Sequence, residues 1–361
     1  MADYLKKFAR ILIEYSLKIK SKEKVIISGC VEAIPLIEQL YIQVLQKGAY
    51  PFLRLVPNNL GELFYQYAKK HHLLYLPEIN LFEAKKADAV ITIQSSTNTK
   101  ALTSVNPEKP ATYIKTMKPI KDIILKKGRW VLTLYPTQAY AQDAEMSLQE
   151  FTEFVYKALF VDKKDPVKAW YDLRDYQEKI IKRLKGADRI RILDDDTDLT
   201  LSVKNRIFIN SCGLYNMPSG EIFTGPIETS ANGYIKFSFP ACNLGREIEG
   251  VYLEFKEGKV VKESATKNEQ FLRTMLDMDK GARYPGEFAF GLNYGITKHI
   301  KNILFDEKIG GTIHLALGSS YKETGGKNKS ALHWDFIKDL RKKGEVYVND
   351  KLFMKKGKII Q

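Results

Sequence analysis

"KVIISGC" at 24–30, "AIPLIEQLYIQVLQKGA" at 33–49 and "YPFLRLV" at 50–56 follow one another in a strand–helix–strand order that leaves few ways to pack. The first and third runs are short and β-rich, whereas the second spaces its apolar residues as a helix does and stops at Gly48. Two more apolar runs, "ADAVITIQSS" and "RWVLTLYPT", are each preceded by a helical segment. Strands that alternate with helices at this spacing predict a parallel sheet with helices on its faces. The turn after the first strand, "SGCVEAIP", contains neither G-x-G-x-x-G nor G-K-[ST], so no nucleotide-binding motif accompanies that sheet.

The character changes after "DPVKAWYDLRDYQEKIIKRLKG", which reads as a connecting helix near 165–186. "DRIRILDDDTDLTLSVKNRIFINSCG" then reads as antiparallel strands with "DDDTD" as a turn, and one clear helix follows near "NEQFLRTMLDM". The expected fold is therefore an α/β domain over 1–170 with a parallel sheet, joined to an α+β domain over 171–361. At 361 residues and 44% hydrophobic, the chain has material for two cores. No apolar run approaches the roughly 20 residues that span a bilayer, and charges interrupt the N-terminal stretch. Cys30, Cys212 and Cys242 form no CxxC pattern, which argues against a disulfide framework or a thiolate zinc site and for a cytoplasmic protein. The net charge of +14 is spread along the chain without a zinc finger or an arginine-rich block. It reads as a solvated lysine-rich surface, with neither nucleic acid nor membrane as partner.

Four stretches of the second half carry polar side chains that a core does not require. They are "NMPSGEIFTGP" around Glu221, "YPGEFAFGLN" around Glu287, "GGTIHLALGSSY" with His314 and Tyr321, and "SALHWDFI" with His333 and Asp335. A carboxylate at the mouth of an apolar strand is expensive to bury unless a cation or a donor meets it. His333 and Asp335 are two apart, so in a strand they share one side while Trp334 and Phe336 face the core. Each residue alone has an ordinary explanation, as a hydrogen-bonded core histidine or a turn glutamate. Together, two histidines, two glutamates and one aspartate suit a borderline-to-hard divalent metal and exceed what one open zinc site uses. Bridging carboxylates would allow two metals about 3.5 Å apart. The spacing has no short diagnostic pattern, so the metal and the ordinary readings both stand on the residues alone. The remaining histidines, His71, His72 and His299, read as surface or helix-end residues.

At these positions the sequence resembles the thermophilic metalloaminopeptidase family, of the aminopeptidase T and aminopeptidase S type and leucyl aminopeptidase-like. The resemblance rests on "NMPSGEIFTGP", the "NG" turn at Asn232 and Gly233, "PGEFAFGLN", "FDEKIGGTIHLALGSSY" and "SALHWDFI", in the family's order. It implies a cofactor of two divalent metal ions (zinc, cobalt, manganese or magnesium) held by Glu221, Glu287, His314, His333 and Asp335. It further implies Glu287 and Tyr321 as catalytic residues, peptide substrates cut at the N-terminus, and a homodimer. Ser219 stands where the family commonly has an acidic residue, and the chain is short for the family. Two rivals share the residues: a ring-cleaving dioxygenase with one non-haem iron on His314, His333 and Asp335, and a basic, non-catalytic binding module.

Overall fold

A computed structural model describes residues 2–243 and 246–360. The chain forms two compact units, one of residues 1–170 with 213–218, the other of 171–212 with 219–361. The boundary falls inside the helix Pro166–Arg183.

The first unit holds a five-stranded parallel sheet. Its strands β1 (Lys24–Cys30), β2 (Tyr50–Val56), β3 (Ala89–Gln94) and β4 (Trp130–Leu134) lie in the order β2-β1-β3-β4, and the pair Asn216–Met217 adds a fifth beside β4. The returning segment caps an edge that would otherwise present unpaired backbone groups. Thr133 Oγ1 donates to the Met217 carbonyl at 2.7 Å and ties it down. The helix Ile34–Gln46 forms because Leu36, Ile37, Leu40 and Val44 recur on one face and are buried. Gly48 takes a positive φ of 72° just beyond its end.

Among the described residues the second unit contains a two-stranded pair, Ala241–Asn243 with Arg246–Ile248, and two large antiparallel sheets. One has eight strands in the order Lys259–Ser264, Tyr252–Lys256, Asn232–Lys236, Thr197–Ser202, Arg189–Asp194, Glu345–Val348, Lys351–Lys355 and Lys358–Ile359. The other has five, in the order His333–Asp339, Thr312–Gly318, Pro285–Gly291, Glu221–Thr224 and Ile209–Ser211. Residues of both sheets, among them Ile192, Leu253, Phe288, Leu315 and Phe336, belong to one buried apolar cluster. The fold is thus an α/β unit with a parallel sheet and a second unit of antiparallel sheets and helices. No helix among the described residues is long and apolar enough to cross a membrane.

Candidate metal centre

Strand alternation sorts the five-stranded sheet into two faces. Phe288, Phe290, Leu315, Leu317, Trp334 and Phe336 join the apolar core. The other face carries the polar residues, and register decides what lies beside them. Glu221 pairs with Gly291, Glu287 with Ala316, His314 with Ala289, Asp335 with Ala316 and His333 with Gly318. These neighbours are glycine or alanine, and on the opposite side Glu221 has Ser211 and His314 has Ile337, so mostly small side chains stand beside the five polar ones.

Both Gly-Glu turns need their glycine. Gly220 has φ 118°, and a Cβ there would stand 2.7 Å from Asn293 Cβ. At Gly286 a Cβ would meet the Gly318 carbonyl oxygen at 2.3 Å. Each glycine therefore lets the backbone approach a neighbour closely just before the glutamate turns inward. Gln177 Nε2 donates to the Glu221 carbonyl at 2.7 Å and holds that strand from behind.

The side chains converge. His314 Nε2 lies 3.4 Å from Glu287 Oε1, 3.6 Å from Glu221 Oε2 and 4.0 Å from Asp335 Oδ1. His333 Nε2 lies 3.4 Å from Glu287 Oε2 and 3.7 Å from Asp335 Oδ1. Both imidazoles are oriented through Nδ1, which donates to the Glu307 carbonyl (3.0 Å) in His314 and to the Ser319 carbonyl (2.8 Å) in His333. That leaves each Nε2 facing the carboxylates, the arrangement by which protein backbones aim metal-binding histidines. Tyr321 stands beside His333, with ring centroids 5.3 Å apart, and beside Phe223 at the same distance.

Burial raises the Glu221 carboxyl to about 7 and the Asp335 carboxyl to about 6. Burial would raise Glu287 too, but the hydrogen bonds from His314 and His333 hold it down at about 2. Burial opposes charge on the imidazoles and is outweighed by the carboxylates. The Glu287 hydrogen bond and Glu221 push His314 up to about 9, and Asp335 and Glu287 push His333 up to about 10. The Tyr321 hydroxyl is pushed up by burial and then by Glu287 and Asp335, so it keeps its proton.

The donor set fits a divalent cation on two observations. Glu221 Oε2 and Asp335 Oδ1 are buried without a hydrogen-bond partner, a situation that costs roughly 1–3 kcal/mol or more per group unless a cation meets it. The separations of 3.4 to 4.0 Å are loose for hydrogen bonds. Tetrahedral ligands about 2.1 Å from an ion lie roughly 3.4 Å from one another. Among the described residues, two groups have ligand atoms within 4.8 Å of one another: Glu287 with His314 and Asp335, and Glu221 with Glu307 and His314.

The sequence pattern alone does not point to Glu307, although it lies in "FDEKIGGTIH", seven positions before His314. Beside it, Lys308 is fully buried, with Nζ 3.5 Å from Glu221 Oε1 and bonded to Glu307 Oε1. Burial works against its charge, but Glu221 and Glu307 prevail and raise its pKa. A charged dipeptide between "LF" and "IGG" was the available signal. His299, expected from the sequence at the surface or at a helix end, is at neither. Its Nε2 lies 3.2 Å from buried Asp306 and its ring stacks on Phe239, because the chain before the helix Ile303–Asp306 folds inward. His71 and His72 are exposed, as expected. Ser219 is buried, and its hydroxyl donates to the Ser211 carbonyl at 2.8 Å.

The chain matches the family of thermophilic metalloproteases (M29) over residues 1–358. It belongs to that family. It is accordingly a metallopeptidase, a hydrolase that works with a divalent metal. The family member is 26% identical to aminopeptidase PepS of Streptococcus thermophilus, over 93% of its own length and 92% of the relative's. It is 25% identical to aminopeptidase T of Thermus aquaticus, over 93% and 92%. Among solved structures, wild-type AmpT from Thermus thermophilus superposes with a TM-score of 0.86 at 22% identity, covering 99% of both chains, which establishes a shared fold. Nothing in these likenesses speaks for an iron dioxygenase or a basic binding module.

Proposed function

We propose that this metallopeptidase is an aminopeptidase that removes the N-terminal residue of peptides at the Glu221, Glu287, His314, His333 and Asp335 cluster. The observation that carries the reading is the pair of buried, unpartnered carboxylate oxygens on Glu221 and Asp335, gathered with two oriented Nε2 atoms on one sheet face. The names of the relatives from Streptococcus and Thermus support the exopeptidase activity. Two overlapping ligand groups support two ion positions, with Glu307 added to the ligands expected from sequence. A divalent ion bound there supplies Lewis acidity and brings the pKa of a coordinated water near neutrality.

Glu287 is the carboxylate nearest both histidines, with one oxygen 3.4 Å from each Nε2, and it is the group we assign to take the proton of the attacking water. Its low pKa comes from protons on His314 and His333. When those imidazoles are neutral, as metal ligation requires, the charged hydrogen bonds that hold Glu287 down are gone. Tyr321, kept protonated, donates its hydroxyl hydrogen to the developing oxyanion. The free α-amine of a peptide is a group that internal peptide bonds lack, and four nearby carboxylates, Glu307 included, give it partners.

The protein acts in a reducing compartment, a reading supported by three free cysteines. It acts as a homodimer, for which β2 offers support. That edge strand exposes Tyr50, Phe52, Leu53, Leu55 and Val56, and natural sheets cover such edges.

A panel of aminoacyl chromogenic substrates, assayed after chelation and after return of zinc, cobalt, manganese, magnesium or iron, tests the reading. Hydrolysis that disappears with the chelator, returns with metal and spares N-acetylated substrates is the expected result. Oxygen-dependent activity with one iron per chain would overturn it.

A further inference from the structure

The two candidate ligand groups are not equivalent. Both include His314, and each takes the same kind of contribution from it, one ring nitrogen. Its Nδ1 is committed to the Glu307 carbonyl at 3.0 Å, so Nε2 alone remains, and one nitrogen lone pair serves one ion. The group of Glu287 and Asp335 has His333 in addition, whose Nε2 is 3.4 Å and 3.7 Å from those carboxylates. The group of Glu221 and Glu307 has no such second imidazole. It has Lys308 instead, whose ammonium faces both of its carboxylates.

Lys308 cannot leave as a surface lysine would. Its side chain is fully buried, and a buried ammonium without partners is far more costly than a solvated one. An ion arriving between Glu221 and Glu307 must take those carboxylates from Lys308 and then tolerate a positive charge held a few ångströms away in a poorly screened interior.

From these contacts we infer that Lys308 makes the two ion positions unequal. The Glu287, His314, His333 and Asp335 position takes the first divalent ion and keeps it, and the Glu221 and Glu307 position takes a second only weakly and exchangeably. This rests on the reading of the cluster as a metal centre and deepens it. Lys308 is a positioning residue in this scheme, a resident cation that neutralises the second position.

The test uses the full chain and zinc(II). Wild-type protein is loaded, dialysed exhaustively against metal-free buffer and measured for zinc content, and binding is followed separately by titration calorimetry. The expected result is about one ion retained per chain, with a second calorimetric step at least about a hundredfold weaker. In Lys308→Met the weak step tightens by about tenfold or more, while the first changes by less than about threefold. Lys308→Gln, which keeps a polar side chain, shifts the weak step in the same direction. Near-UV circular dichroism and retention of the first ion report that each variant is folded. Two ions retained equally by the wild type would overturn the inference and leave the metal centre standing, as would a weak step unmoved in a folded variant. Failure of the wild type to bind zinc at all would overturn both. If neither variant folds, the wild-type retention measurement alone decides.

Discussion

Beyond the carboxyl ends of β1 and β3, Glu32 accepts from Asn58, whose Nδ2 also donates to the Ser95 carbonyl at 3.2 Å and whose Oδ1 accepts from the Thr97 amide at 3.3 Å. Ser95 Oγ in turn accepts from the Cys30 amide at 3.2 Å. In the second unit, Glu221 and Asp335 keep buried oxygens with no donor, and all the buried side-chain polar atoms without partners among the described residues lie in that unit. Both sheets gather polar side chains at one place. In the parallel sheet they satisfy one another, and in the antiparallel sheet two carboxylate oxygens are left without a hydrogen bond. A saturated network rigidifies, whereas an unsaturated one held in place by its surroundings binds.

Substitutions on the two sides should separate this contrast. Glu287→Gln should lower kcat/KM by about 10³-fold or more while leaving the far-UV and near-UV dichroism of the wild type; near-normal turnover in a metal-loaded variant would remove Glu287 from its role. Tyr321→Phe deletes one donor and should cost about 10²-fold in kcat with KM little changed, measured on a chromogenic aminoacyl substrate. The ionisation of the cluster sharpens the comparison further. His314 and His333 are raised to about 9 and about 10, so at neutral pH they hold protons that a metal ion must displace. Falling pH strengthens that competition, so metal affinity should drop by about tenfold or more per pH unit below neutrality. Calorimetry in two buffers of different ionisation enthalpy should reveal the released protons, and a pH-independent affinity would contradict the arrangement. The smallest effect is expected in the first unit. Glu32→Gln should cost about 1 kcal/mol of stability, read from a denaturant midpoint, and leave turnover within about twofold. A large loss of activity there would show that the parallel sheet also serves the chemistry.

Much of this was legible in the order of residues. Period two placed His333 and Asp335 on one side of their strand and Trp334 and Phe336 on the other, and the burial of the latter two agrees. The helical spacing of Leu36, Leu40 and Val44 and the stop at Gly48 were equally plain. Glu307 and Lys308 were not, because a Glu-Lys pair is ordinarily a solvated surface feature and nothing local says that the chain around it is buried. His299 reads as a surface or helix-end residue for the same reason. Its partner Asp306 is seven residues away, beyond a bend that no periodicity announces.

Local chemistry, then, determined the two kinds of sheet, the strands that carry the histidines and the glycines that must precede Glu221 and Glu287. Tertiary structure decided which residues meet. Glu221 and Asp335 stand more than a hundred positions apart, and they share a face with Glu287 and His314 through the antiparallel register of four strands. Register is set by the burial of the whole apolar face, since a slip of one residue would turn these polar side chains into the core. That long-range constraint, invisible in any short window, also brings Lys308 to the carboxylates.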